Sequence, residues 1–71
     1  MPKLPRISGI ECRRALMKLG FEEVRQRGSR VVMKKGGIGC VVPMHREIKA
    51  GTLAGILRQA DVSTADFFEA L

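Results

Sequence analysis

Two short segments, Gly28-Ser29 and Gly36-Gly37, constrain this chain more than any other feature. Each interrupts a run with a period of two, at a point where a tight turn would reverse the chain. On one side Val24 and Gln26 alternate with Arg25 and Arg27; then come Arg30 to Lys35 and Ile38 to Val42. Pro43 closes the third run, because it has no amide to donate to a further ladder. Three strands joined in series by tight turns make an antiparallel meander. Neither glycine segment has the strand-to-helix context or the Lys-Ser/Thr pair of a phosphate-cradling loop.

The period changes to 3.6 on both flanks. Ser8 with Glu11 three residues on forms a capping-box pair, and Cys12, Ala15, Leu16 and Leu19 then share one helical face up to Gly20, a left-handed terminator. Arg13, Arg14 and Lys18 fall outside that face, together with Ile10 and Met17, apolar groups in a place where a partner would cover them. Beyond the meander, after a connection from Met44 to Ala50, Thr52 is expected to cap a helix whose Leu53, Ile56, Leu57 and Ala60 make one stripe. Ser63 and Asp66 predict a third, short helix that brings in Phe67, Phe68 and Leu71. The expected architecture is α+β: a two-layer αβββα domain, its three-stranded antiparallel sheet covered by helices on one face and open on the other.

Seventy-one residues allow a single domain, 1–71, and no second core. Lys and Arg number 13 against 7 Asp and Glu, a net charge of +6, which favours a polyanionic partner over a neutral small substrate. The excess is concentrated: residues 1–35 hold ten basic and three acidic groups, residues 36–71 three and four. With no Trp or Tyr and three Phe, the chain offers few platforms for base stacking, so contact with the nucleic-acid backbone is expected. Cys12 and Cys40 stand far apart without a CxxC or a His cluster, and are expected to be reduced core thiols rather than metal ligands or a disulfide. No signal-peptide h-region follows the N-terminus and no apolar run approaches a membrane span, so a cytoplasmic protein without a membrane contact is expected.

If Val31, Met33 and Val24 point at the helices, strand alternation sends Arg25, Arg27, Arg30 and Lys34 to the open face. Such a surface neutralises phosphates; the alternative is an edge kept basic against strand-to-strand aggregation.

Leu4-Pro5-Arg6-Ile7-Ser8-Gly9, Leu19-Gly20-Phe21, Arg25-Gln26-Arg27-Gly28-Ser29, Val42-Pro43-Met44-His45-Arg46-Glu47 and Gly51 to Ala60, taken in this order over residues 4 to 71, resemble the HicA toxin family. The resemblance implies a double-stranded-RNA-binding-domain-like fold and a toxin that cuts messenger RNA without metal or other cofactor, silenced by a HicB antitoxin. It also implies that the family's catalytic His position, in a Gly-Ser-His triplet, is occupied here by Arg30. Arg cannot serve as a base at neutral pH, though it can hold the scissile phosphate, so binding with weak or no cleavage is expected. His45, the one imidazole, is the candidate replacement base, with Glu47 to orient it; a structural His capping the next turn is the other reading. Candidate RNA contacts are Arg25, Arg27, Ser29, Lys34 and Lys35. The alternative function is a silent RNA-binding or antitoxin-binding module, in which acidic antitoxin side chains cover the basic face and meet Ile10 and Met17 at its side. The free chain is expected to be a monomer or weak dimer.

Overall fold

A computed structural model describes residues 6–71. The elements run α1 (Gly9–Lys18), β1 (Glu22–Arg27), β2 (Arg30–Lys35), β3 (Ile38–Pro43), α2 (Ala50–Ala60) and α3 (Thr64–Ala70). The sheet is an antiparallel meander in the order β1-β2-β3, which confirms the α+β class. The segment Leu4-Pro5, part of the family resemblance, lies outside the described residues.

Helix α1 begins as its capping box requires. The Glu11 amide donates to Ser8 Oγ at 3.1 Å, and the Ser8 amide donates to Glu11 Oε1 at 3.1 Å. Cys12, Ala15 and Leu16 are buried, and Gly20 follows at φ +100°. The helix face joins Val31, Met33, Cys40 and Val42 from the sheet, Leu53, Ile56, Leu57 and Ala60 from α2, and Phe67 from α3 in one apolar core. Both cysteines are free and buried in it, as expected for core thiols.

Gly28 and Gly36 open the two hairpin turns at φ +56° and +59°, a left-handed conformation that a side chain disfavours and that suits the first position of a two-residue hairpin loop. The registers follow: Arg27 opposite Arg30, and Lys35 opposite Ile38. The β2–β3 ladder runs past its last named pair, where the Met44 amide donates to the Ser29 carbonyl. Antiparallel ladders alternate bonded and non-bonded pairs, so Arg30 with Pro43 and Val32 with Val41 are non-bonded pairs. Pro43 therefore costs the ladder nothing, and the Val41 amide and carbonyl point away from β2 along the free edge of β3.

Three expectations are corrected. Leu71 does not join the core: it is exposed, and Ala70 is the residue of α3 buried beside Phe67. Val24 does not point at the helices. The pairing steps from Glu23 opposite Met33 to Arg25 opposite Val32, so Val24 is the extra residue of a bulge and is 51% exposed. The bulge restores the phase that Arg25 and Arg27 need for the open face, and places Glu23 on the helix side, where Arg13 Nε meets its carboxylate at 2.6 Å. Thr52 is not the cap of α2. The N-cap is Lys49, without a side-chain hydrogen bond, and Thr52 is the third helical residue. The antiparallel bridge of Ile7 to Ile48 sets this earlier start, since the Ile48 amide donates to the Ile7 carbonyl at 2.7 Å and delivers the chain to Ala50.

Candidate nucleic-acid interface

Directly opposed residues of an antiparallel pair share a face. With Val31 and Met33 buried, the open face carries Arg30, Val32 and Lys34 from β2, Arg25, Arg27 and Glu22 from β1, and Val41 and Pro43 from β3. Four cations and one carboxylate thus surround an apolar centre in which Val32 lies against Val41. Arg30 is exposed and opposes Arg27 on one side and Pro43 on the other. Among the described residues no carboxylate pairs with Arg27 or Arg30, and like charges opposed in this way destabilise a pair slightly. An anion laid across both would relieve that repulsion.

At one margin of this face, between the free edge of β3 and α2, lies a cleft of about 630 Å³. Ser29, Arg30 and His45 line it together with Val41, Pro43, Glu47, Lys49 and the Thr52–Gly55–Gln59 side of α2. The two candidate catalytic positions therefore share one cavity although fourteen residues of chain separate them. The stretch after β3 is tied down at three points. Met44 bonds Ser29, the Gly9 amide donates to the His45 carbonyl at 2.9 Å, and Ile48 bonds Ile7. An exposed His45 side chain thus stands on anchored backbone.

Among the described residues no hydrogen bond joins Glu47 to His45. The Glu47 carboxylate lies 3.5 Å from Arg6 Nε across the Ile7–Ile48 bridge, an exposed pair worth about 0.2–1 kcal/mol. Lys35 does not join the basic patch either. It shares the helix-side face with Ile38, and its ammonium donates to the Leu19 carbonyl at 2.8 Å, at the C-terminus of α1 where a cation is favoured. Arg25, Arg27, Arg30 and Lys34 share the open face, and Ser29 sits in the turn beside them.

The sequence reading missed the α2 wall of the cleft. Thr52, Gly55 and Gln59 recur at i, i+3 and i+7 beside the apolar stripe, a pattern that marks a small or polar helix face but does not say what faces it. Burial pushes the Cys12 thiol up to about 12, with Cys40 beside it adding to the shift, and burial pushes Cys40 up to about 11, so neither is a nucleophile at neutral pH. Among the described residues no three His, Cys, Asp or Glu side chains gather as a metal-binding group. Also among them, no helix is long and apolar enough to cross a membrane.

A two-layer α+β domain with a cationic open sheet and a cleft at its edge is the class that these observations define. The family model described as HicA toxin of bacterial toxin-antitoxin matches residues 9–62, and the chain belongs to the HicA toxin family. It is thus a toxin of a toxin–antitoxin system, and its family implies an antitoxin partner. No curated protein matches the chain.

Proposed function

We propose that this protein binds messenger RNA across its open sheet face, cleaves it as an attenuated endoribonuclease, and is silenced by a HicB antitoxin that occludes that face. The observation that carries the reading is the shared cleft, in which Arg30, Ser29 and His45 meet at the margin of a surface bearing Arg25, Arg27 and Lys34. The RNA backbone would run over the guanidinium groups, with one phosphate at Arg30. There the ribose 2′-hydroxyl attacks the adjacent phosphorus, its proton passes to the His45 imidazole, and the bond to the 5′-oxygen breaks. A 2′,3′-cyclic phosphate and a 5′-hydroxyl result, the latter taking a proton from water. Arg30 stabilises the charge that develops on the phosphoryl oxygens through hydrogen bonds from its fixed fork. Arg30 cannot protonate the leaving 5′-oxygen, which draws on water instead, so the acid half of a contribution worth typically 10²- to 10⁴-fold is missing and turnover is slow.

A second reading has a specific observation in its favour. Glu47 is engaged with Arg6, which leaves His45 without a carboxylate to hold its ring, and a silent RNA-binding or antitoxin-binding module fits that arrangement. Incubation of the purified protein with a structured messenger RNA, with and without EDTA, beside its Arg30→His and His45→Ala forms, separates the two. Slow cleavage that ignores the chelator, rises in Arg30→His and disappears in His45→Ala is expected. Retention of RNA with no product from either the natural protein or Arg30→His selects the silent module. Failure to retain RNA at low salt eliminates cleavage and RNA binding together and leaves only the antitoxin-binding module.

A further inference from the structure

The cleft extends well beyond Arg30 and His45, and its far walls have no task in holding a phosphate. At about 630 Å³ it falls within the range of small-molecule sites, roughly 300–1,000 Å³. Val41 and Pro43 of β3 and Ile56 of α2 make part of its lining aliphatic; Thr52 and Gln59 of α2 add a hydroxyl and an amide. Gly55 lies between them. A Cβ built there would meet nothing within 4 Å, so no packing contact demands a glycine. Glycine inside a helix is destabilising by roughly 0.5–1 kcal/mol relative to alanine, and here the structure gives that cost no folding benefit. Gly55 is part of the cleft lining, and the missing side chain leaves that part bare. Opposite, the Val41 amide and carbonyl point away from β2 along the edge strand, so a donor and an acceptor border the same space.

We propose that this cleft receives one unstacked nucleobase of the RNA, the base adjoining the phosphate held at Arg30. The inference rests on the RNA-binding reading above and adds a base-reading subsite to it. A base is flat on both sides and polar at its rim. The aliphatic part of the lining accepts a face, and the Gln59 amide, the Thr52 hydroxyl and the strand edge accept its rim. Gln59 can donate and accept at once, as recognition of a single-stranded base edge requires. Few aromatic side chains are available in this chain, so an aliphatic slot replaces the usual stacking platform.

The test uses a series of 2′-fluoro oligoribonucleotides, which resist cleavage, each with one nucleotide made abasic. Their affinities for the natural protein and for Gly55→Leu and Gln59→Ala are measured by fluorescence anisotropy, with thermal unfolding as the check on folding. The expected result is a loss at one abasic position, about five- to tenfold, at the low end of the range for base stacking because that part of the lining is aliphatic. That loss should vanish in Gly55→Leu, whose side chain fills the slot, and shrink in Gln59→Ala. Equal affinity for every oligonucleotide in the natural protein overturns the base subsite while leaving backbone binding in place. An identical abasic loss in the natural protein and in Gln59→Ala overturns it too, even if Gly55→Leu fails to fold. No binding of any oligonucleotide removes the subsite and the RNA-binding reading together.

Discussion

Gly9 shows how a single residue holds the cleft in shape. A Cβ on it would strike the Pro43 carbonyl and come within 2.6 Å of Met44 Cα, backbone that cannot give way as a flexible side chain can. Its amide meanwhile pins the His45 carbonyl. Gly9→Ala is expected to lower stability by roughly 1–3 kcal/mol, the usual cost of forcing extra atoms into a packed site. Urea denaturation measures this, and an unchanged midpoint would contradict the close approach. The need for glycine here was not legible beforehand, because it is imposed by residues some thirty-five positions away. The two thiols behave differently. Their pKa values are raised on folding, from 9.0 to about 12 for Cys12 and about 11 for Cys40, so burial favours the neutral form. For such groups the unfolded chain loses its protons first; the stability they contribute is whole below pH 9 and declines as pH rises from there through 11 to 12. Urea midpoints should therefore fall over that interval, and fall less in a Cys12→Ala, Cys40→Ala double variant. Equal slopes for the two proteins would show that the thiols are not responsible.

At the level of elements, the two long helices are started differently. Helix α1 has a complete capping box, legible from Ser8 and Glu11 because both partners lie within four residues. Helix α2 starts on Lys49, which supplies no capping oxygen, and has no acidic residue in its first turn. Local rules favour Thr52 as the cap, but the Ile7–Ile48 bridge fixes the entry of the chain and overrides them. Lys49 lines the cleft, so a poor cap stands where a cation can face RNA. Lys49→Ser is expected to raise stability by about 1 kcal/mol through a new cap while weakening RNA binding. Thermal unfolding and anisotropy on the same preparation check the two signs, and a change of both in one direction would refute the trade-off. In β1 the alternation of Val24 with Arg25 was visible, but the bulge was not, since a bulge belongs to the pairing of two strands and not to one.

Over the molecule as a whole, function depends on how charge is apportioned between two faces. Four cations lie together on the open sheet, whereas Arg13 is paired with Glu23 and Lys35 caps α1 on the other side. If all four meet phosphates of single-stranded RNA, the logarithm of affinity should fall against the logarithm of salt concentration with a slope of about −3. Lys34→Ala should reduce that slope by about 0.7 and Lys35→Ala should leave it unaltered. Titrations between about 50 and 200 mM salt decide this, and equal slopes for the two variants would rule out the division of labour between neighbouring lysines.

Strand number, order, turn positions, the buried faces of α1 and α2 and the outward side of Arg30 and Lys34 were readable in advance. They depend on periodicities and caps that operate within a few residues, and Gly28 and Gly36 mark the reversals by their tolerance of positive φ. The cleft was not readable, nor was the meeting of Arg30 with His45 inside it, the transfer of Glu47 to Arg6, or the removal of Lys35 from the patch. Each of these results from the docking of α2 beside β3 or from contact between segments distant along the chain. Local pattern specifies which way a side chain leaves the backbone, but what it meets there is settled when the separate layers pack.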